Sequence, residues 1–156
     1  MPPRANPRLA LLLLPMLALA ACASLQTQAT NDLNSRLQRR LAPDIAAGRA
    51  IVEPLPDGAR ITLVDQVLYP RGGSTMDDQG INVLTGIVQA LIEPSMLQIT
   101  IAGSPSTPEY VRAARRDAVQ QELAPAMLGN AVQPGLAAPD NPNAPGPTVT
   151  IKVVAG

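Results

Sequence analysis

The chain has 156 residues and twelve basic against twelve acidic side chains, so its formal net charge is zero. It contains no histidine, phenylalanine or tryptophan, one cysteine and two tyrosines. This composition excludes an internal disulfide, removes the usual metal ligands and common nucleophile–base pairs, and gives no sign of a nucleic-acid partner, so a non-enzyme without metal or cofactor is expected.

The amino terminus reads as an export signal. Arg4 and Arg8 form a basic n-region, and residues 9–19 form an apolar stretch broken only by Pro15. The stretch is short for a bilayer span and ends on small residues, as a signal peptide does. Leu19-Ala20-Ala21-Cys22 matches the bacterial lipobox, in which the cysteine thiol is joined to a diacylglycerol before cleavage. An ordinary secretory signal with a chance cysteine is the alternative. The lipobox reading makes residues 1–21 a signal peptide and Cys22 the lipidated first residue of the mature chain. Burial in lipid is worth about 0.8 kcal/mol per methylene, so a diacylglycerol holds a protein to a membrane almost permanently. Ala23, where aspartate would retain an inner-membrane lipoprotein, resembles the Gram-negative pattern for sorting to the outer membrane, here with the chain on its periplasmic face. Loss of Arg4 and Arg8 leaves ten basic residues against twelve acidic.

Residues 22–48 read as a lipidated tether with a short helix. Thr30 or Asn31 can cap it, Leu33, Leu37 and Leu41 recur at four-residue spacing, and Pro43 ends it. Arg36, Arg39 and Arg40 lie alongside. They suit either a solvated tether face or a basic face touching an anionic lipid or polymer.

From Arg49 the pattern is that of strands. Residues 50–55 and 59–68 flank Pro56-Asp57-Gly58, read as a hairpin turn with glycine at positive φ. Ile61 and Leu63 alternate with Arg60 and Thr62, and Pro54 and Pro56 confine the first arm to a sheet edge. After the loop Tyr69-Pro70-Arg71-Gly72-Gly73, Ser74 stands three residues before Asp77 as a capping box. Val83, Leu84, Ile87, Val88 and Leu91 then give a helical period that Pro94 closes. Leu97, Ile99 and Ile101 alternate as a further strand, and Gly103-Ser104-Pro105-Ser106 makes a turn. Thr107 is placed to cap a second helix with Pro108 at its first position. Val111, Ala114, Ala118 and Val119 form its apolar side, with Arg112, Arg115, Arg116 and Asp117 around the rest. Residues 129–147 read as a loop that could hold a short strand at 131–133, and Val149, Ile151 and Val153 alternate as the closing strand. Hairpin, helix, strand, helix, loop, strand describes an α/β (α+β) two-layer sandwich over residues 49–156.

Val67-Leu68-Tyr69 before Gly73-Ser74, the strand at 97–102 running into Gly103, and the 111–119 helix with Leu123 after it resemble the OmpA-like carboxy-terminal domain, in register from about residue 49 to residue 154. The resemblance implies a β-α-β-α-β domain after the amino-terminal hairpin and a non-covalent association with peptidoglycan. In that family an aspartate after the second core strand takes the ammonium of diaminopimelate, and an arginine of the following helix takes its carboxylate. Arg115 falls on the arginine position, Ser106 stands where the aspartate should be, and Ser104 shares its turn. The implied ligand-binding residues are therefore Arg115, Ser106 and Ser104, with Glu109 the nearest carboxylate in sequence. The arginine pair before the family's last strand is replaced by Pro147 and Thr148. From the residues alone, Arg115 reads first as one of three surface arginines on an exposed helix face; the register of the resemblance brings the binding-site reading level with that one. The expected role is a tether between outer membrane and wall; the alternative is an interaction module for an envelope protein in a transport or secretion assembly.

Overall fold

The computed structural model describes residues 27–70, 72–91, 97–127, 131–134 and 146–155. The signal segment, Cys22 and most of the 129–147 loop lie outside these residues. Helix α1 occupies 27–40, followed by α2 (Ala42–Ala46), β1 (Ala50–Leu55), β2 (Gly58–Val64), α3 (Asp65–Leu68), α4 (Asp78–Leu91), β3 (Leu97–Gly103), α5 (Glu109–Leu123), a 3-10 turn (Ala124–Met127), β4 (Ala131–Pro134) and β5 (Thr148–Ala155).

The strands form one sheet in the order β1-β2-β5-β3-β4. Only β3 and β4 are parallel; the other neighbours run antiparallel. The carboxy-terminal strand β5 thus enters the centre, with Ile61 opposite Ile151 and Ile151 opposite Ile101. Ile61, Leu63, Ile99, Ile101, Ile151 and Val153 project to one face, where α4 contributes Leu84, Ile87 and Leu91 to the same core. The expected two-layer sandwich is what forms, with the α4 stripe buried as its period requires.

Several local expectations are corrected. The tether helix is not a solvated spacer: Leu33, Leu37 and Leu41 are buried in the domain core, and Asn34 Nδ2 donates to the Gly58 carbonyl at 3.0 Å. A leucine stripe at four-residue spacing has a face to bury, and the sheet domain supplies the surface. Pro43 starts α2 rather than only ending α1, as proline's fixed φ permits in a first turn.

The second hairpin arm stops at Val64, and Asp65–Leu68 turns into a helix that buries Asp65, Val67 and Leu68 together. Adjacent Val67 and Leu68 would have pointed to opposite faces in a strand. Gly58 does not take positive φ; it lies within β2, where a Cβ would strike the Val153 carbonyl oxygen of the neighbouring strand. Close approach of backbones, rather than turn geometry, requires glycine there.

The caps also differ. Asp77, not Ser74, caps α4, accepting from the Gly80 N–H at 2.9 Å while its carbonyl accepts from Ile81 at 3.0 Å. Helix α5 has Pro108 as its N-cap, with no side-chain capping bond from Thr107.

Candidate functional site

The residues expected to bind ligand gather where β3 runs into α5. Ser104 is 1% exposed, and its hydroxyl lies 2.7 Å from that of Ser106. The Ser106 N–H also donates to Ser104 Oγ at 3.3 Å. This pair tightens the turn, and the Thr107 N–H closes it by donating to the Ser104 carbonyl at 3.2 Å. Arg112 crosses the turn, donating to the same carbonyl at 3.5 Å and pairing with Glu109. Glu109, the carboxylate nearest the missing aspartate in sequence, is thereby engaged by its own helix.

Arg115 is no surface arginine. It is 7% exposed and occupies the inward face of α5 with Val119 and Leu123, spaced four residues apart. Its Nη1 pairs with Asp65 Oδ2, its Nε donates to the Gly73 carbonyl at 2.9 Å and its Nη2 to the Gly72 carbonyl at 2.8 Å. Gly72 holds φ at +75°, a region open to glycine, and so turns the loop toward the guanidinium. The guanidinium carbon lies 4.6 Å from the centre of the Tyr69 ring, and the Tyr69 hydroxyl donates back to the Arg115 carbonyl at 2.9 Å. Burial pushes the Tyr69 hydroxyl above the usual tyrosine range; Arg115 opposes that shift and Asp65 adds to it. The phenol therefore stays protonated as a donor.

Arg115, Ser104, Asp65 and Arg112 share a cavity of about 10 Å³, room for roughly one water. Ser106 is exposed at the same turn, and Tyr110, 78% exposed, stands in the first turn of α5. The assembled groups offer hydroxyls and guanidiniums for binding. Among the described residues no cluster of acids and thiols is arranged to hold a metal, and no helix is long and apolar enough to cross a membrane.

Sequence reasoning missed Asp65 and Tyr69 as the partners of Arg115. The available signal was a single carboxylate inside the apolar run Leu63-Val64-Asp65-Gln66-Val67-Leu68, where an acid is rarely buried unless paired.

No protein-family model and no curated protein matches the chain. Solved structures do. The cell wall anchor of the T6SS from Pseudomonas aeruginosa superimposes with a TM-score of 0.59 at 24% identity, covering 78% of this chain and 98% of that one. A putative MotB like protein from Desulfovibrio vulgaris gives a TM-score of 0.62 at 14% identity, covering 86% and 99%. The chain has the OmpA-like, MotB-like fold. At these identities the fold is the shared feature, and it spans nearly all of both solved chains.

Proposed function

We propose that the protein is a non-catalytic envelope anchor of the OmpA-like family, held to the outer membrane by lipid on Cys22 and associating weakly with peptidoglycan from the periplasm. The observation that carries this reading is the meeting of Arg115, Ser104 and Ser106 at the β3–α5 turn of that fold. One solved protein of the same fold is described as a cell wall anchor, which supports the reading.

Weak association follows from the charges. Asp65 already neutralises the Arg115 guanidinium, so an incoming ligand carboxylate gains little attraction there and meets a like charge. Ser106 presents no carboxylate to a ligand ammonium. Restoring one partner of such a charge pair is worth roughly 2 to 5 kcal/mol. That is about thirty-fold to several-thousand-fold in affinity.

A second reading, an interaction module for another envelope protein, is favoured by the same closed geometry. A cavity of about 10 Å³ is too small for a stem-peptide side chain without rearrangement. Pelleting residues 22–156 carrying Cys22→Ser with diaminopimelate-type sacculi, with and without Ser106→Asp, separates the two. Weak pelleting that Ser106→Asp strengthens at least about thirty-fold supports the wall-binding site. No pelleting by either protein would leave the partner reading. Arg115→Ala is unsuitable here, because it removes a buried ion pair along with any ligand contact.

A further inference from the structure

Docking of α1 through Leu33, Leu37 and Leu41 fixes which of its side chains face outward. Arg36, Arg39 and Arg40 come together against the carboxy-terminal half of α4, where with Gln89 and Ala90 they line an open groove of about 420 Å³. The acids beside them are engaged: Asp32 pairs with Arg36 at 3.3 Å, and Asp44 with Arg49 at 2.8 Å. Arg39 and Arg40 are exposed, and among the described residues neither has an acidic partner. The outward positions Gln28, Asn31, Ser35 and Gln38 are neutral, and although Asp32 offsets Arg36, the charged side chains that line the groove among the described residues are all arginines.

Its place in the chain adds a second argument. Residues 23–26 alone separate Cys22 from the described start of α1, a reach of at most about 18 Å. The arginines follow about 14 to 20 Å further along the helix axis. A lipid on Cys22 would hold α1 beside the bilayer surface, with this groove within reach of it.

We propose that the groove of Arg36, Arg39 and Arg40 binds the phosphate of an anionic phospholipid headgroup in the leaflet that carries the amino-terminal lipid, laying α1 along the membrane. Planar guanidinium groups match phosphate oxygens two at a time, and the attraction at an anionic surface is worth about five-fold in binding per basic side chain. The geometry rests on the lipid-anchor reading of Cys22; the chemistry of the groove does not.

The test is vesicle flotation of residues 22–156 carrying Cys22→Ser, which keep every core residue described above. Phosphatidylcholine vesicles are compared with vesicles containing about one-third phosphatidylglycerol, at low and high salt. The expected result is flotation with anionic vesicles only, weakened by salt, and reduced about thirty-fold by Arg39→Gln with Arg40→Gln at unchanged melting temperature. Equal flotation with neutral vesicles, no flotation, or flotation unaffected by the double substitution overturns the proposal. Binding of inorganic phosphate that Arg39→Gln with Arg40→Gln abolishes, without flotation on anionic vesicles, would assign the groove to free phosphate and overturn the lipid assignment. A dimer dissociated by the same substitutions would assign it to a second copy, also against the proposal. Palmitate labelling of the intact protein against Cys22→Ser reads the anchor separately, so either reading can fail while the other stands.

Discussion

Asp65→Asn removes the carboxylate from the ion pair while keeping the side-chain volume, and leaves Arg115 charged. Both side chains of the pair are only 9% exposed, so solvent cannot take over the lost interaction cheaply. Breaking a buried pair by removing one partner costs about 3–5 kcal/mol. The carbonyls of Gly72 and Gly73 and the Tyr69 ring remain to hold the guanidinium, which places the expected loss at the lower end, about 3 kcal/mol. Against a total stability of about 5–15 kcal/mol this is a large fraction, and it corresponds to a fall of roughly 10 °C in melting temperature. Urea unfolding followed by circular dichroism measures it directly, with an unchanged m-value confirming that the unfolded state is unaltered. The cycle with Arg115→Gln isolates the pair, and a coupling of at least about 1 kcal/mol is expected because the double variant leaves no unpaired buried charge. A loss below about 1 kcal/mol for Asp65→Asn would refute the reasoning, since it would mean that Arg115 is free to leave the core.

Leu37→Ala should cost about 2–5 kcal/mol by urea unfolding, as for other leucines wholly inside a core; a loss within about 0.5 kcal/mol would restore the solvated-tether view of α1. In a Tyr110→Phe variant Tyr69 is the sole tyrosine, and its folded pKa lies above the unfolded value of 10.0. Its contribution to stability is therefore complete below about pH 10 and is lost as pH rises beyond that. Alkaline titration should show no tyrosinate absorbance before the circular dichroism signal of unfolding; tyrosinate formed in the folded protein near its ordinary pKa would contradict the buried donor.

Element order was legible because the apolar periods change cleanly along the chain. Val83 to Leu91 follows a helical period, and Leu97 to Ile101 and Val149 to Val153 follow a strand's, each with polar residues on the wet side. The central place of β5 was not legible, because nothing in a local pattern tells which strand a distant segment will pair with. The helical turn at Asp65–Leu68 was hidden for a related reason. Its residues continue the apolar run of β2, and only a partner fifty positions away, Arg115, accounts for burying Asp65 there. Arg115 itself was singled out through a resemblance, whereas its burial could not be read from helix periodicity. An arginine takes the inward position ahead of Val119 and Leu123, and a pattern built on apolar residues skips it.

The paired state of Arg115 bears directly on what a ligand could do at this site. A guanidinium has five N–H donors, and Asp65, Gly72 and Gly73 take three of them. One N–H on each terminal nitrogen remains, so a carboxylate bridging those two nitrogens would have to lie beside the Asp65 carboxylate. Two carboxylates sharing one guanidinium repel each other, and the repulsion is strongest where solvent is excluded. The ligand charge that the resemblance calls for is thus matched at neither end, since Ser106 offers its ammonium a hydroxyl alone. Ser106→Asp changes only the exposed end and leaves the Asp65–Arg115 pair intact, so it can add affinity without first undoing the core. That asymmetry is why a gain of binding, rather than a loss, is the informative perturbation of this turn.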